Sequence, residues 1–231
     1  MTRIVTWSNM SPTIYELEAV LFDQDGVLID SEGAWDAARR AIVTENGGHW
    51  KAEATRAMMG MSSPEWSRYL HDELGVALAP TEISQRVVAR LLAGYERSLP
   101  LLPGAVDAVK RVAARWPVGL ASSANREVID AVLAASGLAG TFAVTVSGDE
   151  VARGKPAPDI YLEAARRLGV DPQRSAAVED SANGLRSAAA AGMKVVALPN
   201  REFPPSEDAL ELASLVLGSL DELTPAALER L

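Results

Sequence analysis

Apolar residues occur along this chain in short clusters rich in alanine and β-branched side chains, separated by longer amphipathic segments. Short apolar runs bounded by turn residues are typical of strands that are buried on both faces of a parallel sheet. The predicted strands are 19–22, 118–122, 142–147, 175–179 and 194–198, with a further candidate at 215–217.

Amphipathic patterns between most of these strands predict helices. The predicted helices of this part of the chain are 105–115, 126–136, 158–168 and 183–191. Gly137, Gly169 and Gly192 follow three of them, and glycine is the residue at which helices commonly end. Alternating strands and helices favour right-handed βαβ crossovers. We therefore predict an α/β fold with a doubly wound parallel sheet.

The first strand departs from this alternation, because a long segment without a clear strand follows it. Helical patterns cover 33–45, 51–58, 64–74 and 81–97. An all-helical insertion at this point would lie over the C-terminal ends of the strands, where open α/β sheets bind ligands. We expect 1–31 and 99–231 to form a catalytic core and 32–98 to form a helical cap. An independent structural domain over 33–98 is the alternative.

Composition narrows the classes of function. The chain has 231 residues, 48% of them hydrophobic and 23% charged, which is typical of a soluble globular protein. No apolar run approaches the roughly 18 residues of a membrane helix, and 1–15 lacks the pattern of a secretory signal. The net charge of -9 argues against nucleic acid and anionic membranes as partners. The absence of cysteine excludes disulfides and thiolate sites, and leaves the compartment open.

Two aspartates follow the first predicted strand directly. Asp23 and Asp25 are separated by one residue and precede Gly26, in the segment FDQDGVLIDSE. Alternate residues of an extended segment point the same way, so both carboxylates can reach one cation or one substrate. A solvated Asp-Gly turn is the alternative. A calcium EF-hand loop does not fit, because Ala34 stands where that loop has its final glutamate.

Three later segments carry polar residues where predicted strands end. Ser122 and Ser123 are followed by Ala124 and the start of a helix, an arrangement that can cradle an anion or simply cap the helix. The segment GKPAPDIY contains Lys155 between stiffening residues, although a lone loop lysine is normally solvated. The fourth strand ends in an acidic pair that suits Mg²⁺, with helix capping as the alternative. That pair is Glu179 and Asp180.

The order of these groups resembles the haloacid dehalogenase-like (HAD) superfamily. An acid pair, a hydroxyl, a lysine and a second acid pair follow one another at successive strand ends, over about 19–198. The texts FDQDGVLIDSE, GKPAPDIY and VEDSANGLRSAAAAGM are similar to the branch with β-phosphoglucomutase, phosphoglycolate phosphatase and sugar-phosphate phosphatases. That resemblance implies a helical cap after the first strand.

The resemblance also implies a role for each group. Asp23 would be the nucleophile that accepts the phosphoryl group and a Mg²⁺ ligand, and Asp25 the general acid and base, with its backbone carbonyl on the metal. The low pKa that Asp23 needs would come from Mg²⁺ and Lys155, while Asp25 must hold a proton. The resemblance implies that the Ser122 hydroxyl, the N–H groups of Ser123 and Ala124, and Lys155 contact the phosphate. It implies that Asp180 binds the metal, and that Glu179 does so directly or through another group.

The acceptor of the phosphoryl group separates a phosphatase from a mutase. Counted from the aspartates, the histidine of β-phosphoglucomutase falls on Trp35, and the cap loop 60–64 has serine where the mutase has arginine. We therefore favour a phosphatase, with the mutase as the alternative. Trp35 and Ser63 are candidate substrate contacts, although Trp35 fits hinge packing equally well. We expect Arg39 and Arg40 to be solvated, and Trp50 and Trp66 to lie in the cap core.

A non-catalytic phospho-receiver is a remote alternative, since such domains also combine a phosphoacceptor aspartate, an acidic Mg²⁺ site and a lysine. They are about half this length and lack the acid two residues beyond the acceptor. We expect a cytoplasmic Mg²⁺-dependent phosphatase acting on a small phosphorylated metabolite, most simply a sugar phosphate. The oligomeric state is left open.

Overall fold

A computed structural model of the protein describes residues 16–200 and 203–231. The expectation that 1–15 holds no secretory signal concerns residues outside these ranges. Within the two ranges, none of the helices combines the length and the hydropathy that crossing a membrane requires.

A six-stranded parallel sheet forms the centre of the fold, and its strand order is β3-β2-β1-β4-β5-β6. This order confirms the predicted doubly wound topology and gives β1 the neighbours β2 and β4. The strands are β1 Ala19–Phe22, β2 Val118–Ser122, β3 Val144–Ser147, β4 Ser175–Glu179, β5 Lys194–Ala197 and β6 Leu215–Val216.

Helices lie between the strands in the chain and cover the sheet on both faces. The four helices that follow β1 are α1 Glu32–Glu45, α2 Ala54–Met58, α3 Ser63–Asp72 and α4 Pro80–Tyr95. The later helices are α5 Ala105–Ala113, α6 Arg126–Ala135, α7 Asp159–Leu168, α8 Ala182–Ala190, α9 Glu207–Leu210 and α10 Pro225–Leu228.

Side chains of β1 alternate between two apolar cores, as the period of a strand requires. Val20 and Phe22 belong to the core that also contains Val109 of α5. Leu21 points to the opposite face and packs in a second core with Tyr161 of α7. All four residues of β1 are buried, so the strand is covered on both sides.

The predicted third strand is wrong at its start. Phe142 was expected in the strand, but β3 begins at Val144. Phe142 instead packs edge-on against Phe22, with 6.0 Å between the ring centroids. An aromatic ring with a packing site at the end of the sheet satisfies the same hydrophobic signal as a strand residue.

The four helices after β1 are packed onto the core. Trp66 of α3 and Ile83 of α4 belong to the same continuous apolar cluster as Val20 and Phe22 of the sheet. The all-helical insertion expected after the first strand is therefore confirmed, and its buried side chains are continuous with those on one face of the sheet.

Arg111 of α5 ties the C-terminal segment to the core. Its Nε donates a hydrogen bond to the Leu223 carbonyl oxygen at 3.0 Å, and its Nη2 donates to the Leu220 carbonyl at 2.8 Å. Both carbonyls lie beyond β6, so one side chain holds a stretch that has little regular structure of its own.

We predict that Arg111→Met lowers the free energy of unfolding by about 1–3 kcal/mol, because two charged hydrogen bonds to backbone carbonyls are lost. Urea denaturation measures the change. The matched control is Lys110→Met on the same helix, where the side chain is exposed. An equal effect of the two substitutions would contradict the role of Arg111.

Candidate functional site

Three buried acidic side chains meet where β1 and β4 end. Asp23 follows the last residue of β1, and Glu179 and Asp180 stand at the end of β4. These two strands pair in parallel, with Phe22 opposite Val178, so their carboxyl ends share one edge. The three residues, which we call the acid cluster, offer carboxylate oxygens within 4.8 Å of one another.

Lys155 enters the acid cluster from the loop between β3 and α7. Its Nζ donates to Asp23 Oδ1 at 2.9 Å, to Glu179 Oε1 at 2.6 Å and to the Ala121 carbonyl oxygen at 3.1 Å. The residue is only 4% exposed. Burial lowers the pKa of Lys155, but the charges of Asp23 and Glu179 outweigh burial and hold that pKa above its usual value.

Tyr161 is a member of the site that the sequence did not single out. Its hydroxyl donates to Glu179 Oε1 at 2.7 Å, and Lys155 Nζ lies 5.2 Å from the centre of its ring. Tyr161 lies on the buried face of α7. Because Lys155 and Tyr161 both donate to Oε1 of Glu179, this carboxylate fixes the positions of the two side chains.

Negative charge in the acid cluster exceeds the charge of its lysine. Burial, followed by the charge of Glu179, raises the pKa of Asp23 to about 8, although Lys155 acts in the opposite direction. Burial and the charges of Glu179 and Asp23 also raise the pKa of Asp180. Lys155 alone therefore does not give Asp23 the expected low pKa. An additional cation beside the acid cluster would lower the pKa of Asp23. Carboxylate oxygens are the ligand type that Mg²⁺ prefers.

Two glycines allow the acid cluster to approach the backbone. Gly26 has a φ of 77°, and a Cβ there would lie 1.8 Å from Asp180 Oδ2. At Gly184, in the first turn of α8, a Cβ would lie 1.9 Å from Glu179 Oε2. Side chains at these two positions would occupy the space of the carboxylates. The short distance at Gly26 also means that Asp180 lies against the loop that carries Asp25.

Asp25 lies beside the acid cluster, and its carboxylate is held by several donors. Ser31 Oγ and Trp35 Nε1 both donate to Oδ1, the latter at 3.0 Å, and Ser122 Oγ lies 3.5 Å from Oδ2. Ser31 and Trp35 come from the segment that leads into α1 and from α1 itself. Trp35 of the insertion and Ser31, the residue before it begins, therefore orient this carboxylate together.

The predicted phosphate contacts lie at the turn from β2 to α6. Ser122 is fully buried, and its Oγ accepts a hydrogen bond from the Ala124 N–H at 3.1 Å. Ser123 and Ala124 line the cavity in front of the acid cluster. In this conformation the Ala124 N–H is bonded within the turn, so its expected contact with phosphate stays a prediction.

The insertion supplies the opposite wall of this cavity. Trp35, which was a candidate for substrate contact, lines the cavity and also bonds Asp25, so both interpretations of it stay open. The cavity is lined by Asp23, Asp25, Ser123, Ala124, Lys155, Asp180 and Ser181 of the core, and by Glu32, Trp35, Arg39, Met58, Gly60, Met61 and Trp66 of the insertion.

The expectation of a solvated Arg39 is wrong, whereas Arg40 is exposed as expected. Arg39 is 6% exposed, and its guanidinium lies over the rings of Trp35 and Trp66. The buried residues of α1 recur at the spacing of a helix face, and Arg39 falls among them. That spacing was the signal in the sequence that could have revealed it.

Ser63 is not among the residues that line the cavity. It is 3% exposed, and its Oγ donates to Asn125 Oδ1 of the core at 2.6 Å. Two further bonds join insertion and core, from Ser123 Oγ to the Gly60 carbonyl at 3.2 Å and from Asn183 Nδ2 to the Met59 carbonyl at 3.2 Å. The loop 60–64 and its neighbours therefore dock the insertion onto the strand ends.

Comparison with known proteins places this arrangement in a family. A profile of haloacid dehalogenase-like hydrolases matches residues 17–192. Hexitol phosphatase B of Escherichia coli K12 is 32% identical over 226 residues, which cover 90% of this chain and 95% of that protein. The crystal structure of CbbY from Rhodobacter sphaeroides in complex with phosphate is similar, with a TM-score of 0.82, 31% identity and coverage of 92% and 99%.

A Thermotoga maritima protein described provisionally as a β-phosphoglucomutase also matches, with a TM-score of 0.70, 29% identity and coverage of 93% of this chain and 100% of that one. These likenesses confirm the predicted resemblance, the α/β class and the expectation of an enzyme that hydrolyses phosphoric monoesters. The phospho-receiver alternative is wrong. On its profile match and its relatives, the chain belongs to the haloacid dehalogenase-like hydrolases.

Proposed function

We propose that the protein is a Mg²⁺-dependent phosphatase that hydrolyses a small phosphorylated metabolite, a sugar phosphate, through an aspartyl-phosphate intermediate. The observation that carries the proposal is the buried lysine that bridges Asp23 and Glu179, next to an oriented second aspartate. Carboxylate attack on a phosphate dianion is repulsive unless positive charge lies on both partners. Lys155 supplies part of that charge.

In the first step the Asp23 carboxylate attacks phosphorus, and the bond between phosphorus and the leaving oxygen breaks. Asp25 donates its proton to that oxygen, so the alcohol leaves neutral. Ser31 and Trp35 hold Asp25 Oδ1, which leaves Oδ2 as the oxygen we assign to proton transfer. Ser122, with the N–H groups of Ser123 and Ala124, would bind the phosphoryl oxygens.

In the second step a water molecule attacks the phosphorus of the aspartyl phosphate. Asp25, now ionised, takes a proton from that water, and the bond between phosphorus and Asp23 breaks. Inorganic phosphate leaves and both aspartates return to their starting states. One residue therefore acts as acid and then as base, which is why its orientation matters.

Mg²⁺ would be held by Asp23, Asp180 and the backbone carbonyl of Asp25, and it would supply the positive charge that the acid cluster lacks. We place Glu179 behind these ligands, because its Oε1 accepts from both Lys155 and Tyr161. Its function would be to hold Lys155 against Asp23.

We assign 32–98 as a cap on a core of 1–31 and 99–231. A cap excludes water and contacts the leaving group, and this insertion supplies one wall of the cavity. The sugar substrate is suggested by relatives such as the hexitol phosphatase. The mutase remains the alternative, on the likeness to the Thermotoga protein. Trp35 in place of a histidine and serine in place of an arginine favour the phosphatase. A cytoplasmic location would suit such a metabolic substrate.

We expect Asp23→Asn to abolish turnover and to leave the fold intact, because the amide removes the nucleophile. Phosphate release from a panel of phosphorylated metabolites with Mg²⁺ measures activity, and circular dichroism checks the fold. The control is Asp107→Asn, at an exposed position on α5. Robust turnover by a folded Asp23→Asn variant would contradict the role of Asp23 as the nucleophile.

Asp25→Ala should lower kcat by roughly 10²–10⁴-fold, the usual contribution of one general acid or base. Affinity for Mg²⁺ should change much less, because only the backbone carbonyl of Asp25 is assigned to the metal. Calorimetric titration with Mg²⁺ measures the affinity. If binding of Mg²⁺ disappears along with activity, the Asp25 side chain is itself a ligand.

β-Glucose 1-phosphate separates the phosphatase from the mutase. We expect its phosphoryl group to appear as inorganic phosphate, with no accumulation of glucose 6-phosphate, because nothing at Trp35 reproduces the histidine of the mutase. A coupled dehydrogenase assay follows glucose 6-phosphate while a dye assay follows phosphate. Glucose 6-phosphate formed without net release of phosphate would establish the mutase instead.

A further inference from the structure

Arg39 is a buried cation that the proposed chemistry does not use. Its guanidinium carbon lies 4.9 Å from the ring centroid of Trp35 and 5.1 Å from that of Trp66. Both rings and Arg39 itself line the cavity in front of Asp23. The two contacts fix the guanidinium sideways through cation–π attraction, but they leave its N–H groups in need of acceptors.

One of those donors has no acceptor among the residues that the structure describes. Within the described ranges 16–200 and 203–231, Arg39 Nε is buried and makes no hydrogen bond. Burial lowers the pKa of Arg39, whereas the charge of Glu32 opposes that change. An unsatisfied buried donor on a charged group is costly. Packing alone does not explain why a position between two tryptophans carries arginine.

Glu32 carries a buried acceptor that complements the buried donor of Arg39. It precedes Arg39 by seven residues, which is two turns along the same face of α1. Its Oε2 is buried and, among the described residues, accepts no hydrogen bond. Burial raises the pKa of Glu32 to about 7. Although the two groups line one cavity, the described part of the chain shows no ion pair between them within 4.0 Å.

We propose that Arg39 and Glu32 together form the subsite that binds the leaving group, and that they select neighbouring hydroxyls of an uncharged polyol. This inference rests on the proposed phosphatase function. A hydroxyl both donates and accepts, so one can accept from Arg39 while its neighbour donates to Glu32. The same ligand then gives both side chains a hydrogen-bond partner.

Charge around the subsite disfavours a second anionic group on the substrate. Such a group would be attracted by Arg39 but would also meet the carboxylate of Glu32, which lines the same cavity. Phosphorylated acids and bisphosphates would therefore bind less well than phosphorylated sugars or sugar alcohols of similar size.

A purely positioning role for Arg39 makes a different prediction. Arg39 packs on Trp35, and Trp35 bonds Asp25. If Arg39 acted only through this contact, its loss would slow all unactivated phosphate esters equally, because their leaving oxygens need the proton of Asp25. If it binds the leaving group, only substrates with suitably placed hydroxyls are affected.

The test compares Arg39→Met and Glu32→Gln on three substrates: glucitol 6-phosphate, phosphoglycolate and p-nitrophenyl phosphate. Hydrogen bonds to charged groups contribute about 1.5–3 kcal/mol, so Arg39→Met should lower kcat/KM for glucitol 6-phosphate by roughly 10- to 100-fold. Hydrolysis of p-nitrophenyl phosphate should stay within about threefold. Glu32→Gln should lower kcat/KM for glucitol 6-phosphate and improve that for phosphoglycolate relative to it.

The matched control is Arg40→Met. Arg40 is the neighbouring arginine on the same helix and also lies over a tryptophan, with its guanidinium 4.4 Å from the ring centroid of Trp50. Its side chain is 49% exposed, and the residue is not among those that line the cavity. All three substrates should be unaffected by this substitution.

A binding measurement separates this inference from the proposed function. In the Asp23→Asn background, quenching of tryptophan fluorescence by glucitol 6-phosphate gives a Kd that Arg39→Met should raise at least tenfold. Equal losses on glucitol 6-phosphate and phosphoglycolate, an unchanged Kd, or a wild-type preference for phosphoglycolate would each overturn the subsite while leaving the phosphatase in place. Wild-type inactivity on every phosphate ester would instead reject the proposed function. Should Arg39→Met fail to fold, the isosteric Glu32→Gln decides by the same comparison.

Discussion

The buried ammonium of Lys155 is the interaction on which the site depends. Three carboxylates that are removed from water at one edge of a sheet repel one another, and their charged forms are penalised by desolvation. Lys155 contacts two of them and the carbonyl of Ala121 on β2, so it also links the loop before α7 to the ends of β1, β2 and β4. Tyr161 completes the arrangement from the second apolar core, which couples packing on that face of the sheet to the geometry of the acids.

The topology explains why these groups meet. Because β1 lies between β2 and β4, the loops that follow the three strands converge on one edge, and residues distant in the chain become neighbours. The insertion enters at the end of β1, so its first helix begins within reach of the same edge. Trp35 shows the result, since this residue of the insertion helps to orient Asp25 of the core.

Much of this arrangement could be predicted from the sequence. Strand positions and the placement of Asp23 and Asp180 followed from short apolar runs and from the polar residues directly after them, whereas Lys155 was assigned to the site on the resemblance of its segment to the family. Arg39 could not be placed in the same way, because its charge predicts a solvated side chain. Only its position on the buried face of the helix indicates that it is buried. The contact of Ser63 with the core was missed for a different reason. Its partner Asn125 lies 62 positions away, and no local pattern indicates that contact.

The contacts that dock the insertion have a consequence for divergence within such enzymes. Of the three bonds that residues 59–63 make with the core, two end on backbone carbonyls, those of Met59 and Gly60, and the donors are side chains of the core. A carbonyl is present whatever side chain a residue carries. The side chain of Met61, which lines the cavity next to Gly60, can therefore be exchanged without losing these two attachments, so that new selectivity can arise by substitution while the docking is inherited unchanged.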